Sequence, residues 1–165
     1  MKPWRWCRGS WQREANIARL LGLDVGDVRI GVALSDPMRI LASPVTIIER
    51  RTDGTDYDAI LELVRSRDVE RIIVGMPLSV NGSMGGQAQK TVVFTEELRR
   101  RSPVPVVYQD ERLSTAEAMR MVREARKTVK KERYDAAAAA LILQEYLDDI
   151  LPFVYPGDEP DAPVS

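Results

Sequence analysis

The chain has 165 residues and a net charge of −1 from 24 Lys/Arg and 25 Asp/Glu, enough for one domain whose core needs no disulfide or structural metal. The absence of histidine and the lone Cys7 exclude a Ser-His-Asp triad, a Cys-His pair, the common zinc sites and an internal disulfide. The longest nearly apolar run, 135–143, is far short of a membrane span, and Arg and Trp alternate at the N-terminus where a secretory signal would be apolar, so the expectation is a cytoplasmic protein without a membrane partner.

Residues 1–18 read as an N-terminal extension, poorly ordered as termini commonly are. They carry Trp4, Trp6 and Trp11 among Lys2, Arg5, Arg8 and Arg13, a mixture also suited to stacking on bases. The domain proper spans 19–151. Apolar runs at 17–25 and 28–34, separated by a Gly-Asp turn, predict a β-hairpin. A third strand is predicted at 45–49. Ile60, Leu61, Leu63 and Val64 have helical spacing within a helix over 57–67, capped by Thr55 or Asp56. The continuously apolar 71-RIIVGM-76 predicts a buried, parallel-type strand. A Gly-rich loop, 78-LSVNGSMGG-86, reads as a flap rather than a P-loop, since no Gly-Lys-Ser/Thr follows. Then come a helix over 87–101, a strand at 104–109, a helix from Ser114 to Lys127 and a last helix over 135–150. Residues 152–165, with four prolines and three acids, predict a disordered tail. Three leading strands followed by β-α-β alternation give a mixed five-stranded sheet, antiparallel then parallel, flanked by helices.

Without histidine, any hydrolytic chemistry must use carboxylates, Lys, Tyr or metal ions. Asp24 sits near the end of the apolar strand 20-LLGLDVG-26, where a carboxylate is costly unless paired or metal-bound. Gly22 and Gly26 flank it and allow another backbone or a ligand to come close. The blander role for Asp24 is to cap the turn at Gly26. Asp110 and Glu111 end the fifth strand; alternation sends them to opposite faces, so only one can join Asp24. Ser114 and Glu117 have capping-box spacing. Asp135 precedes 136-AAAAALILQ-144, a helix start whose small residues permit close packing on a sheet, and there it also suits the helix dipole. Acids from two strand ends and one helix start converge most simply at the carboxyl edge of the sheet. Such a cluster repels itself unless cations intervene, and oxygen-only ligation suits Mg²⁺ or Mn²⁺.

Between Arg112 and Arg133 there are eight Arg/Lys against three Glu. Arg126, Lys127, Lys130 and Lys131 are candidate phosphate contacts, and Arg99-Arg100-Arg101 forms a second basic knot.

The strings 22-GLDVGDVRIGVALSD-36, 74-VGMPLSVNGS-83, 110-DERLST-115 and 135-DAAAAALILQ-144 resemble, in order and spacing, the YqgF/RuvX family. The resemblance covers about residues 19–151. It implies an RNase H-like fold related to RuvC-type Holliday junction resolvases, and a metal-dependent nuclease maturing the 5′ end of pre-16S rRNA. An older assignment makes the family junction resolvases. Its acids map onto Asp24, Glu111 and Asp135, with Asp110 the alternative second ligand. Arg112 and the Gly75-Met76-Pro77-Leu78 loop fall at family motifs near the substrate, and Arg29, Ser79 and Asn81 are further candidate substrate contacts. Two positions depart from the family pattern: Val28 replaces a basic residue, and Tyr134 an aliphatic one. Unlike the resolvases, the strand 71–76 carries no acid. The expected partner is structured RNA or branched DNA, bound by a monomer or homodimer. Two alternatives remain: an actin-like ATPase, for which one lobe is too few, and a non-catalytic nucleic-acid-binding module, which would not need all three acids.

Overall fold

In the computed structural model of the protein, residues 18–77, 83–110 and 132–150 are described. Five strands form one sheet: β1 (Arg19–Val25), β2 (Arg29–Ser35), β3 (Ala42–Glu49), β4 (Val69–Met76) and β5 (Val106–Asp110). Their order is β3-β2-β1-β4-β5. β1, β2 and β3 pair antiparallel, whereas β4 lies parallel to both β1 and β5. The helices of the described residues are α1 (Thr55–Ser66), α2 (Gly86–Arg101) and α3 (Glu132–Ile150).

Strand alternation divides the core into two layers. Leu21, Leu23 and Val25 of β1, Ile30 and Val32 of β2, and Ile72 and Val74 of β4 pack with Ile60 and Val64 of α1 and Phe94 and Leu98 of α2. The residues of opposite parity, Leu20, Ala33 and Ile73, meet Ala139, Ile142, Leu143 and Leu147 of α3. Each fully buried Leu or Ile contributes about 1.5–3 kcal/mol relative to exposure. The α3 layer is thin. A β-carbon at Gly22 would lie 2.7 Å from the Leu143 Cβ and 3.0 Å from the Ala139 carbonyl oxygen. The alanine run and Gly22 are therefore two sides of one close contact, and α3 further ties to the sheet through Arg71 Nη1 donating to Tyr146 Oη (2.7 Å).

The third strand begins at Ala42 rather than Val45 and includes Pro44. Pro44 removes a ladder donor, but β3 is an edge strand, where that loss is tolerated. The fifth strand begins two residues late, at Val106; Pro105 stays outside it and accepts from the Ile72 N–H (2.9 Å). At α1 neither Thr55 nor Asp56 is the cap. Gly54 takes that place in the left-handed region (φ 85°), while Asp53 Oδ1 accepts from the Thr55 N–H and hydroxyl (3.1 and 2.7 Å). Asp56 is instead buried, 1% exposed, and accepts from the N–H groups of Arg51 and Tyr57. The helix predicted over Ser114 to Lys127 lies outside the described residues, as do 1–17 and 151–165.

Candidate active site at the carboxyl edge of the sheet

Asp24 of β1 and Gly31 of β2 are direct antiparallel partners, so their side-chain directions share one face. At Gly31 that direction is filled by α3. An ideal β-carbon there would stand 1.7 Å from the Asp135 carbonyl oxygen and 3.0 Å from the Ala136 nitrogen. The first turn of α3 thus lies over Gly31, on the Asp24 side of the sheet. Parity in β1 agrees, since Leu20 and Gly22, on the same face as Asp24, both meet α3. Asp24 is half-buried and Asp135 is buried. Arg29, half-buried at the start of β2, has the parity of Gly31 and so belongs to this face as well.

Asp110 does not. In β5, Val106 and Tyr108 pack in the α1/α2 layer, and Val107 packs against α3. Gln109 follows Val107 by donating to Asp149 of α3 (3.0 Å). Alternation therefore turns Asp110 toward the α1/α2 side. Glu111, Arg112, Ser79, Asn81, Arg126, Lys127, Lys130 and Lys131 lie outside the described residues. Among the described residues, no three acidic or cysteine side chains come together to hold an ion; Asp24 and Asp135 are the two candidate ligands that share a face. Their donor set, oxygen only, is that of a hard divalent cation.

The turn after Asp24 is held from several sides. Gly26 N–H donates to the Arg29 carbonyl (2.9 Å). Gln87 Nε2 donates to the Val25 carbonyl (3.0 Å), and Arg50 Nη1 to the Gly26 carbonyl (3.1 Å). Lys90 Nζ reaches Asp27 Oδ1 (2.8 Å). Arg50 is itself fixed by Asp56 (3.3 Å) and lies over the Phe94 ring, 4.7 Å from its centroid. Residue-by-residue reading did not single out Gly31, Gln87 or Arg50. A glycine inside a strand pattern signals close backbone approach, so Gly31 was detectable; the other two act across long sequence separations and left no local mark.

The basic knot at 99–101 is paired with acids of its own helix. Arg99 pairs with Glu96, Arg100 and Arg101 pair with Glu97, and Arg99 and Arg101 lie over the rings of Tyr108 and Tyr57. Beside them a cavity of about 540 Å³ is lined by Asp27, Arg50, Tyr57, Lys90 and Phe94, its two cations already paired with Asp56 and Asp27. No helix of the described residues is long and apolar enough to cross a membrane.

Among the described residues, a five-stranded sheet in this order, with two helices on one face and a final helix laid over β1 and β2 on the other, defines an RNase H-like fold. RuvC of T. thermophilus, solved in complex with a Holliday junction substrate, has the same fold. It superposes with a TM-score of 0.52 over 80% of this chain and 94% of its own, at 15% identity. The chain belongs to the RuvX family, described as Holliday junction resolvase, whose profile matches residues 18–149. Among curated relatives, a Dehalococcoides mccartyi protein named "Putative pre-16S rRNA nuclease" is 44% identical, covering 78% of this chain and 96% of its own. A protein of the same name from Halothermothrix orenii is 45% identical over 79% and 94%.

Proposed function

We propose that the protein is a metal-dependent endonuclease that hydrolyses a phosphodiester in the 5′ leader of pre-16S rRNA, working in the cytoplasm with Mg²⁺ or Mn²⁺. The observation that carries this reading is the stacking of the first turn of α3 over Gly31, which puts Asp135 and Asp24 on one face at the carboxyl edge. Glu111 is the third acid, preferred over Asp110 because Asp110 has the parity of Val106 and Tyr108 on the opposite layer. When bound, the divalent ions supply Lewis-acid stabilisation to the oxygens of the phosphodiester. Asp24 and Asp135 would hold them, and the buried position of Asp135 would strengthen that attraction by excluding water. Arg29, on the same face, provides positive charge for a substrate phosphate, as does Arg112. Ser79 and Asn81 contribute from the loop after β4, and Arg126, Lys127, Lys130 and Lys131 contact more distant phosphates.

A second reading, cleavage of branched DNA, is favoured by the family's own description. Purified protein with Mn²⁺ should be given a labelled pre-16S 5′ leader and a four-way junction in parallel. Cleavage of the leader supports the first reading and cleavage of the junction alone the second. Binding of either without cleavage, at any divalent ion tried, would reduce the protein to a nucleic-acid-binding module.

A further inference from the structure

The pairing of β1 with β4 ends just before the site. The β1–β4 register ends at Leu23 and Val74, so Asp24 and Val25 are laddered on the β2 side alone. The bond from Gly26 N–H to the Arg29 carbonyl marks that pair as hydrogen-bonded. By alternation, Asp24–Gly31 is then also a bonded pair and Val25–Ile30 is not. The Val25 carbonyl therefore points away from β2, beyond the last β1–β4 pair. Gln87 meets it there, its Nε2 donating to the Val25 oxygen at 3.0 Å.

From this geometry we infer that Gln87 is a positioning residue for Asp24, replacing the missing ladder partner and holding the end of β1 rigid beside the second acid. The inference rests on the metal-dependent reading above. A strand end paired on one side frays at low cost, and an acid on a fraying end would sample positions away from Asp135. Gln87 supplies the lost bond. Arg50 holds the next residue separately, donating to the Gly26 carbonyl at 3.1 Å, with its own guanidinium fixed by the buried Asp56. Gln87 stands in the first turn of α2, immediately after Gly85 and Gly86, so the same bond also ties the segment following the β4 loop to the acid-bearing strand.

The test uses the isosteric Gln87→Met, which keeps length and helix propensity but has no donor, in the full chain. Mn²⁺ binding to the free protein is measured by calorimetry, beside thermal melting and the Mn²⁺ dependence of cleavage. A net intramolecular hydrogen bond is worth about 0.5–1.5 kcal/mol, and about 1.4 kcal/mol corresponds to tenfold in an equilibrium constant. Gln87→Met should therefore weaken Mn²⁺ binding by about threefold to tenfold and shift cleavage to higher Mn²⁺, with kcat recovered at saturation. Val93→Thr, an exposed change on the same helix, should alter neither. A lower melting temperature with unchanged Mn²⁺ affinity would overturn the positioning role and leave Gln87 a structural residue only. If the unmodified protein neither bound Mn²⁺ nor cleaved, the metal-dependent reading itself would fall, and the inference with it.

Discussion

The carbonyl oxygen of Asp135 stands where a side chain on Gly31 would begin, 1.7 Å from the position of a β-carbon. Glycine at 31 is thus the condition for the first turn of α3 to reach the Asp24 face. Gly31→Ala must push α3 off the sheet, because the obstacle is main chain rather than a movable side-chain end. Overpacking of a core costs about 1–3 kcal/mol and occasionally more, and this change belongs at the upper end. Urea unfolding should show that loss, and Mn²⁺ affinity should fall in parallel. Gly86→Ala, inside α2 and also with nothing within 4 Å of its β-carbon, should lose no stability. Similar stability for both variants would mean that α3 does not rest on β2 as described.

The loop between β2 and β3 is organised by one carboxylate. Asp36 accepts from the N–H groups of Leu41 (2.8 Å), Ile40 (2.7 Å) and Met38 (3.2 Å). The Leu41 bond foremost, with those of Ile40 and Met38, holds its pKa below the ordinary 3.8. A carboxyl lowered by folding adds stability above its unfolded pKa, and that stability is lost as pH falls through the folded value. Asp36→Ala should therefore be less stable at neutral pH and lose less than the parent on acidification below about pH 4. Urea midpoints that fall in parallel for the two proteins across that range would remove Asp36 as the loop's organiser.

The basic stretch ending at Arg133 can be tested by salt. If Arg126, Lys127, Lys130 and Lys131 contact phosphate, neutralising all four should weaken binding to every sequence alike. On duplex arms the log–log salt slope should drop by about 0.9 for each true contact. An unchanged slope would make the stretch a solvated helix face.

Burial of the sheet on both faces was legible because a strand buried on both sides reads as a continuous apolar run. The run 71-RIIVGM-76 is β4, and the hairpin around Gly26 and Asp27 joins β1 to β2. Asp24 was legible for the same reason, as an acid interrupting apolar residues. Pro44 hid the first half of β3, since its cost depends on whether the strand is an edge, which only the assembled sheet decides. Gly54 outcompeted Thr55 and Asp56 at the start of α1 because its left-handed backbone sets the helix entry. Gln87 and Arg50 were invisible in sequence because they act on carbonyls 62 and 24 residues away, and main-chain acceptors carry no residue identity. The face of Asp110 was not legible, because it required Val106, Val107 and Tyr108 to be placed in their layers.

The central claim is that Asp24 is a metal ligand beside Asp135, and Asp24→Asn tests it most directly. Asn keeps the shape of the side chain and removes its charge. The measurement is cleavage of a labelled pre-16S 5′ leader in Mn²⁺, with and without chelator, beside thermal melting. The parent should cut in Mn²⁺ and stop in chelator. Asp24→Asn should not cut, while melting close to the parent's temperature, since the shape of the side chain is kept. Cleavage by Asp24→Asn at the parent's rate, or full activity of the parent in chelator, would contradict the account.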